Sequence, residues 1–242
     1  PFTSVDLELN PRLNDELTFS IPEMRQGWEK FNLEFLGHMA TIKTYAVMSK
    51  EPIKSLEDFK GIKVSGAGLN LRWLEGLGAT GVPSALTKFY QDVNSGVTDA
   101  MIAWADAVAS FKLCEAAPYF LSADMGAVTA LAVVANKPWF DGLPDEVKDV
   151  MREVTPLYRD ELARQTSAGD AKGREECVKQ GGTIFELPAD QRQLWAESLP
   201  NIAKEWAAAA EAQGLPGNKV LKGYMDGMRA ANQPIARHWD RD

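Results

Sequence analysis

The chain has 242 residues, with 26 Lys+Arg against 34 Asp+Glu, a formal net charge of −8 and 45% hydrophobic residues. At roughly 100–200 residues per domain this is one large domain or two small ones, and the ordinary globular composition excludes a disordered, collagenous or coiled-coil chain. An acidic balance argues against a nucleic-acid partner, the scattered Lys and Arg form no polybasic membrane patch, and the longest strongly apolar run, 130–135, is far short of the ~20 residues that span a bilayer.

The opening Pro1-Phe2-Thr3-Ser4 has no Met, charged n-region or apolar h-region, so any targeting peptide has been removed or was never there. Within 22–35, Met24, Trp28, Phe31 and Phe35 recur at near-helical spacing and predict a helix with one buried face. Thr44 to Met48 is short and β-rich and reads as a strand. Ser55 is a candidate N-cap for a short helix ended by Gly61, after which 62–64 starts a strand. A helix over 70–77, an extended piece at Val82-Pro83 and a helix from Ser84 to Asn94 follow. In that last helix Leu86, Phe89, Tyr90 and Val93 keep i, i+3, i+4, i+7 spacing, and Gly96 is placed as its C′ residue. A strand over 97–104 leads into a helix over 106–116. This alternation of strand and helix is the signature of an α/β layer with crossover connections.

The segment 125–135 reads as a long, mostly buried strand. After Pro144 a long helix begins, with Val147, Val150, Met151, Val154, Leu157, Tyr158 and Leu162 as its apolar face and Pro156 expected to weaken or kink it. A strand at 183–187 and helices from Asp190, over 202–213 and over the last apolar stretch (Val220, Leu221, Tyr224, Met225, Met228) complete the chain.

Chemistry-bearing motifs are few. G-x-S-x-G, H-E-x-x-H, P-loop and G-x-G-x-x-G patterns are absent, and the Gly66-Ala67-Gly68 turn lacks the third glycine of a dinucleotide loop. His38 and His238 lie at opposite ends of the sequence, which excludes a His-rich metal site. Cys114 and Cys177 have no metal-ligand spacing; two separate buried thiols are expected, with a single bridge open in an oxidising compartment. No cofactor is expected.

Three segments carry a family likeness: 52–64 (PIKSLEDFKGIKV); Leu77-Gly-Ala79 with Phe89-Tyr90 and Gly96-Val-Thr-Asp99; and Asn136-Lys-Pro-Trp139 with Leu143-Pro-Asp-Glu146. In this order and spacing the stretch from Lys50 to Val154 resembles the solute-binding proteins of tripartite ATP-independent periplasmic (TRAP) transporters, of the DctP type. The resemblance implies an α/β, two-lobed periplasmic-binding-protein-like fold with a long bridging helix and a first lobe incomplete at the N-terminus. On that reading residues 1–62 are part of the first lobe and 63–148 the second. Residues 149–189 form the bridging helix and a return strand to the first lobe, and 190–242 are helices packing on the second.

The same resemblance frames the site. The family places an Arg after the K-G-x-K-x strand to grip a substrate carboxylate, and Ser65 stands there in this chain. Arg72 is the expected substitute, with Lys63 weaker. Trp104 could stack on a ligand and Asp106 accept from its hydroxyl or amine, because ligands sit at the carboxyl ends of α/β strands. Tyr90 and Asn70 complete the candidate ligand-binding set. The function implied is a periplasmic receptor that captures a small organic acid, aromatic ones included, and presents it to the membrane subunits of a TRAP permease. It has no nucleic-acid partner and is not itself embedded in the membrane. The alternative is a small α/β enzyme acting on an anionic metabolite, with Asp106 or Glu115 as general base and Arg72 orienting the substrate.

Overall fold

The computed structural model describes residues 1–129 and 131–242; Ala130, within the predicted strand 125–135, lies outside them. Its strands fall into two separate sheets. The larger has the order β4 (Thr80–Pro83), β3 (Lys63–Gly66), β5 (Ala100–Ala103), β2 (Ala46–Ser49), β6 (Tyr119–Ser122), β8 (Thr183–Glu186). The parallel pairs are β3–β4, β3–β5 and β6–β8, whereas β2 runs antiparallel to both its neighbours. The smaller sheet pairs β1 (Leu33–Met39) antiparallel with β7 (Leu131–Asn136). These sheets centre the two lobes.

Period-2 alternation explains why the central strands read as unbroken apolar runs. In β2 and β5, Val47, Ala100 and Ile102 point into one core, and Ala46, Met48, Met101 and Ala103 into another. The first core is closed by Trp195 of α8 (Ala189–Ser198), Leu221 and Met225 of α10 (Gly217–Ala230) and Trp239. The second is closed by Phe89 and Val93 of α3 (Leu86–Asn94), Val108 of α4 (Ala107–Phe111), Leu113 of α5 (Leu113–Ala116) and the sulfurs of Cys114 and Cys177. Helix α10 also meets α1 (Leu9–Ser20), where Met228 packs with Leu13 and Leu17.

The expected division of the chain needs two corrections. Strand β2 lies before residue 63 yet belongs to the large sheet, and β8 pairs with β6 instead of returning to the first lobe. The chain therefore crosses between lobes at 40–45 and again at 123–129. There Ile42 and Val128 form an antiparallel bridge, and the Gly126 N–H points at Thr44 Oγ1, 3.4 Å away. Residues 2–4 run alongside, with the Phe2 N–H donating to the Met125 carbonyl and the Ala127 N–H to the Ser4 carbonyl, both at 2.7 Å.

The third connection is α7 (Asp145–Lys179), 35 residues and about 52 Å long at 1.5 Å per residue. Its first half packs on β1 and its second on α4, α5 and β8. The helix is continuous through Pro156. The apolar stripe predicted to be its buried face is not: Val147, Val150, Val154, Leu157 and Tyr158 are 41–64% exposed. The buried residues are Thr155, Ala163, Thr166, Asp170, Gly173 and Cys177. Small residues on that face let the helix backbone approach its neighbours. A Cβ on Gly173 would stand 1.8 Å from the Ala105 carbonyl oxygen, so only glycine fits.

Cys114 of α5 and Cys177 of α7 form a disulfide, correcting the expectation of two free thiols. Two predicted helices are also interrupted. The apolar spacing over 22–35 mixes α2 (Pro22–Glu29) with β1, separated by Asn32 in the left-handed region at φ 57°. Lys112, at φ 52°, divides the predicted helix 106–116 into α4 and α5. Asn is the commoner visitor to that region, and a Lys there carries no sequence signal.

Candidate ligand-binding cleft

The lobes meet where the crossing segments feed the large sheet, and three aromatic residues converge there. Tyr45 ends the first crossing, directly before β2. Trp104 follows the last residue of β5, and Trp73 lies on a 3-10 turn, Gly68–Leu74, after β3. The Tyr45 ring is edge-on to both indoles, with centroids 5.1 Å from Trp73 and 5.6 Å from Trp104. Edge-to-face packing of this kind is the favoured aromatic geometry and fixes the orientation of all three rings. Burial pushes the Tyr45 hydroxyl above its ordinary pKa, partly offset by the neighbouring Asn70 side chain. Behind the wall, the Trp195 indole N–H donates to the Trp73 carbonyl at 2.6 Å.

Of these three residues Trp73 borders a cavity of about 240 Å³ at the crossings, lined also by Thr3, Asn10, Val128, Thr129 and Tyr224. The Tyr224 hydroxyl donates to Asn10 Oδ1 at 2.7 Å and lies 3.2 Å from Thr3 Oγ1. Thr129 Oγ1 is buried with no hydrogen-bond partner among the described residues, so it is free to meet a ligand atom. A larger cavity, about 740 Å³, lies in the first lobe beside Phe19, Phe35 and Arg159. Its buried charges are already matched: Glu34 accepts from Lys137 at 3.4 Å, Arg159 donates to Asp15 at 3.1 Å, and Asp15 also accepts from the His38 N–H at 2.7 Å. The crossing cavity is therefore the better ligand candidate, since it combines two aromatic side chains, Trp73 and Tyr224, with an unmatched polar atom.

Charge at the cleft centres on the turn after β5. Asp106, though exposed, is pushed above the usual carboxylate pKa by partial desolvation and by the nearby charge of Asp170. Asp170, on the buried face of α7, accepts from Arg174 at 3.1 Å and lies 3.7 Å from the Lys43 ammonium. Gly169 and Gly173 bring α7 against Asp106 and Ala105, so the turn is held from behind by the bridging helix.

Trp104 and Asn70 of the predicted set thus come together at one wall, with Asp106 on the turn beside it. Ser65 does not join them. It is fully buried in β3, its hydroxyl 2.8 Å from Thr98 Oγ1, because alternation points it into the sheet's packing layer. Arg72 lies on the Trp73 turn, but its guanidinium is engaged by Glu75 at 3.0 and 3.2 Å and by Glu205 at 2.7 Å. Lys63 sits at the start of β3, the end of the strand remote from the cleft. Tyr90 is half-buried on α3 and packs on the second core. Glu115, on α5, is paired with Lys112 at 3.6 Å. Sequence reasoning missed Tyr45 and Trp73. Each lies inside a predicted element, and only the crossing topology brings them to one place.

Residues 20–209 match the family described as bacterial extracellular solute-binding protein, family 7. The C4-dicarboxylate-binding periplasmic protein DctP of Rhodobacter capsulatus is 25% identical over 187 residues, 73% of this chain and 54% of that protein. The 2,3-diketo-L-gulonate-binding periplasmic protein YiaO of Escherichia coli K12 is 30% identical over 168 residues, 69% of this chain and 50% of that protein. The chain therefore spans about half the length of these curated relatives. Among solved structures, a marine metagenome TRAP solute-binding protein specific for aromatic acid ligands, in complex with metahydroxyphenylacetate, superposes with a TM-score of 0.80 at 22% identity. That match covers 95% of this chain and 73% of that one.

Proposed function

The chain belongs to family 7 of the bacterial extracellular solute-binding proteins, and from that premise we propose that it is a periplasmic receptor for a small organic acid. It takes the acid into the cleft between its lobes and delivers it to the membrane subunits of a TRAP-type permease. The observation that carries the ligand side of this reading is the wall of Tyr45, Trp73 and Trp104 beside a cavity at the lobe crossings. The partly buried indoles of Trp73 and Trp104, held by the buried Tyr45 ring, and a few polar atoms (Asn70, Asp106, Thr129) make a site that grips a flat or apolar ligand body and orients it by hydrogen bonds. An aromatic acid fits such a wall, and the relative that superposes on this fold binds one. The disulfide between Cys114 and Cys177 accords with an oxidising compartment outside the cytoplasm. No helix among the described residues is long and apolar enough to cross a membrane, so contact with a permease would be made from its surface.

Binding works by closure. The lobes are joined at 40–45, at 123–129 and through α7, and a ligand that touches both lobes stabilises the closed arrangement by the contacts it makes only there. No bond is made or broken, and the ligand is released unchanged. Asp106 serves as a hydrogen-bonding group for the ligand in this account, not as a general base.

Two results test the proposal. An acid bound by the chain and recovered after denaturation should have its original mass; recovery of a product would favour the enzyme reading instead. Trp104→Ala should weaken metahydroxyphenylacetate by about 0.5–1.5 kcal/mol, roughly two- to tenfold, and succinate much less, because only the aromatic ligand loses a stacking partner. Equal losses for both ligands, measured by titration calorimetry, would remove Trp104 from the site.

A further inference from the structure

An organic acid brings a carboxylate into this cleft, and that charge needs a cation with hydrogen-bonding capacity to spare. The cations near the aromatic wall are mostly committed. Arg72 is held by Glu75 and Glu205. Arg174 donates to Asp170, to Glu186 and to Ser122 at 3.0–3.2 Å. Arg192 donates to the carbonyls of Asp124 and Pro234.

Lys43 differs from all of these. It lies on the first crossing, between Ile42, which bridges Val128, and Tyr45, which faces Trp73 and Trp104. Its ammonium has one ionic neighbour among the described residues, Asp170 Oδ2 at 3.7 Å, beyond hydrogen-bonding distance, and its side chain is 37% exposed. Asp170 keeps Arg174 at 3.1 Å whether or not Lys43 stays beside it, so Lys43 can turn to a ligand without leaving a buried carboxylate unpaired. A lysine also carries its charge on a flexible stem with three donors, suited to following a ligand as the lobes close.

We propose that Lys43 is the residue that receives the ligand carboxylate, at the junction of the two lobes beside the aromatic wall. This rests on the receptor reading above and adds to it the position of the charge. The carboxylate then lies at the crossing while the ligand body extends along Trp104 and Trp73, the partly exposed members of the wall. Ligand charge and lobe closure are thereby coupled through the crossing segment itself.

The test is titration calorimetry of the intact chain with metahydroxyphenylacetate, benzoate and succinate, comparing wild type with K43M, K43R and R72A. For the acids that wild type binds, K43M should lose at least tenfold in affinity, K43R should recover part of that loss, and R72A should stay within about twofold. The amide of the tightest-binding acid should bind wild type as weakly as the acid binds K43M, and K43M should no longer distinguish acid from amide. K43Q replaces K43M if the latter does not unfold cooperatively. Wild-type affinity in K43M, or a tenfold loss in R72A alone, would overturn the assignment of Lys43 and leave the receptor reading standing. If wild type binds none of the three, the same comparison is made with the acid it binds among mono-, di-, keto- and aromatic carboxylates; absence of binding across that whole set would overturn both.

Discussion

The double substitution Cys114→Ala/Cys177→Ala is expected to destabilise the chain by about 4 kcal/mol, the chain-entropy value for a bridge of this span. The bridged residues are 63 apart in sequence, so the unfolded chain is closed into a long loop that the variant regains as conformational freedom. At about 2–4 °C per kcal/mol for a chain of this size, the midpoint of thermal unfolding should fall by roughly 8–16 °C. Dithiothreitol should lower the wild-type midpoint by a similar amount and leave the double variant where it is. Coincident midpoints for wild type and variant under oxidising conditions would show that the bridge carries no stability. The bridge has a positional role as well. It ties α7 to α5 behind the turn that bears Trp104 and Asp106, where Gly169 and Gly173 already bring the helix backbone into contact.

Trp195→Ala has a comparable expected cost, about 3–5 kcal/mol for removing a large buried aromatic side chain. Trp195 is fully buried, with ring centroids 5.5 Å from Phe2 and 4.9 Å from Phe59. Its truncation opens a cavity at the meeting point of the N-terminal segment, the β3 side of the large sheet and α8. It also leaves the Trp73 carbonyl without the donor that holds it, at a further cost of about 1–3 kcal/mol if the group stays dry. Trp195→Phe separates the two effects, because it keeps most of the volume and loses the hydrogen bond. Urea unfolding should rank the stabilities wild type, then Trp195→Phe, then Trp195→Ala, and aromatic-acid affinity should fall already in Trp195→Phe through a looser Trp73. Unchanged affinity in a folded Trp195→Phe would mean that this bond does not position the wall.

The elements that were legible in the sequence are those whose local chemistry and tertiary role agree. Asp58 accepts from the backbone N–H groups of Lys54 and Ser55 at 2.9 Å, so the 3-10 turn over 56–59 forms where the capping pattern puts it. Gly61 and Gly96 adopt the positive φ that a chain reversal requires. The continuous apolar character of β5 follows from burial on both faces. The bridging helix α7 was legible in extent and not in orientation. Its apolar residues suggested one buried face, but close backbone approach to β1 and to the turn after β5 selects Thr155, Gly169 and Gly173 instead. Such a preference for small residues has no periodicity that distinguishes it from a solvated face.

The placement of the residues around the candidate cleft was legible in part for a similar reason. Trp104 and Asp106 could be placed at the carboxyl end of a strand from the order of elements and the family resemblance, and Asn70 at the turn that follows a neighbouring strand. The ion pairing of Arg72 with Glu205 joins residues 133 apart in sequence, and the Tyr45–Trp104 contact depends on β2 running antiparallel beside β5. Antiparallel insertion of one strand into an otherwise largely parallel sheet cannot be read from strand-helix alternation. Tyr45, Trp73 and Lys43 enter the site only through that topology.

A receptor of the kind proposed binds an organic acid in its interlobe cleft and releases it unchanged. Titration calorimetry of the intact, purified chain against mono-, di- and keto-carboxylates, aromatic acids included, addresses this most directly. The expected result is saturable one-to-one binding of at least one of these acids, with a negative heat-capacity change as the ligand is buried against the aromatic wall. Absence of binding across the whole set, in a chain shown by circular dichroism to be folded, would contradict it.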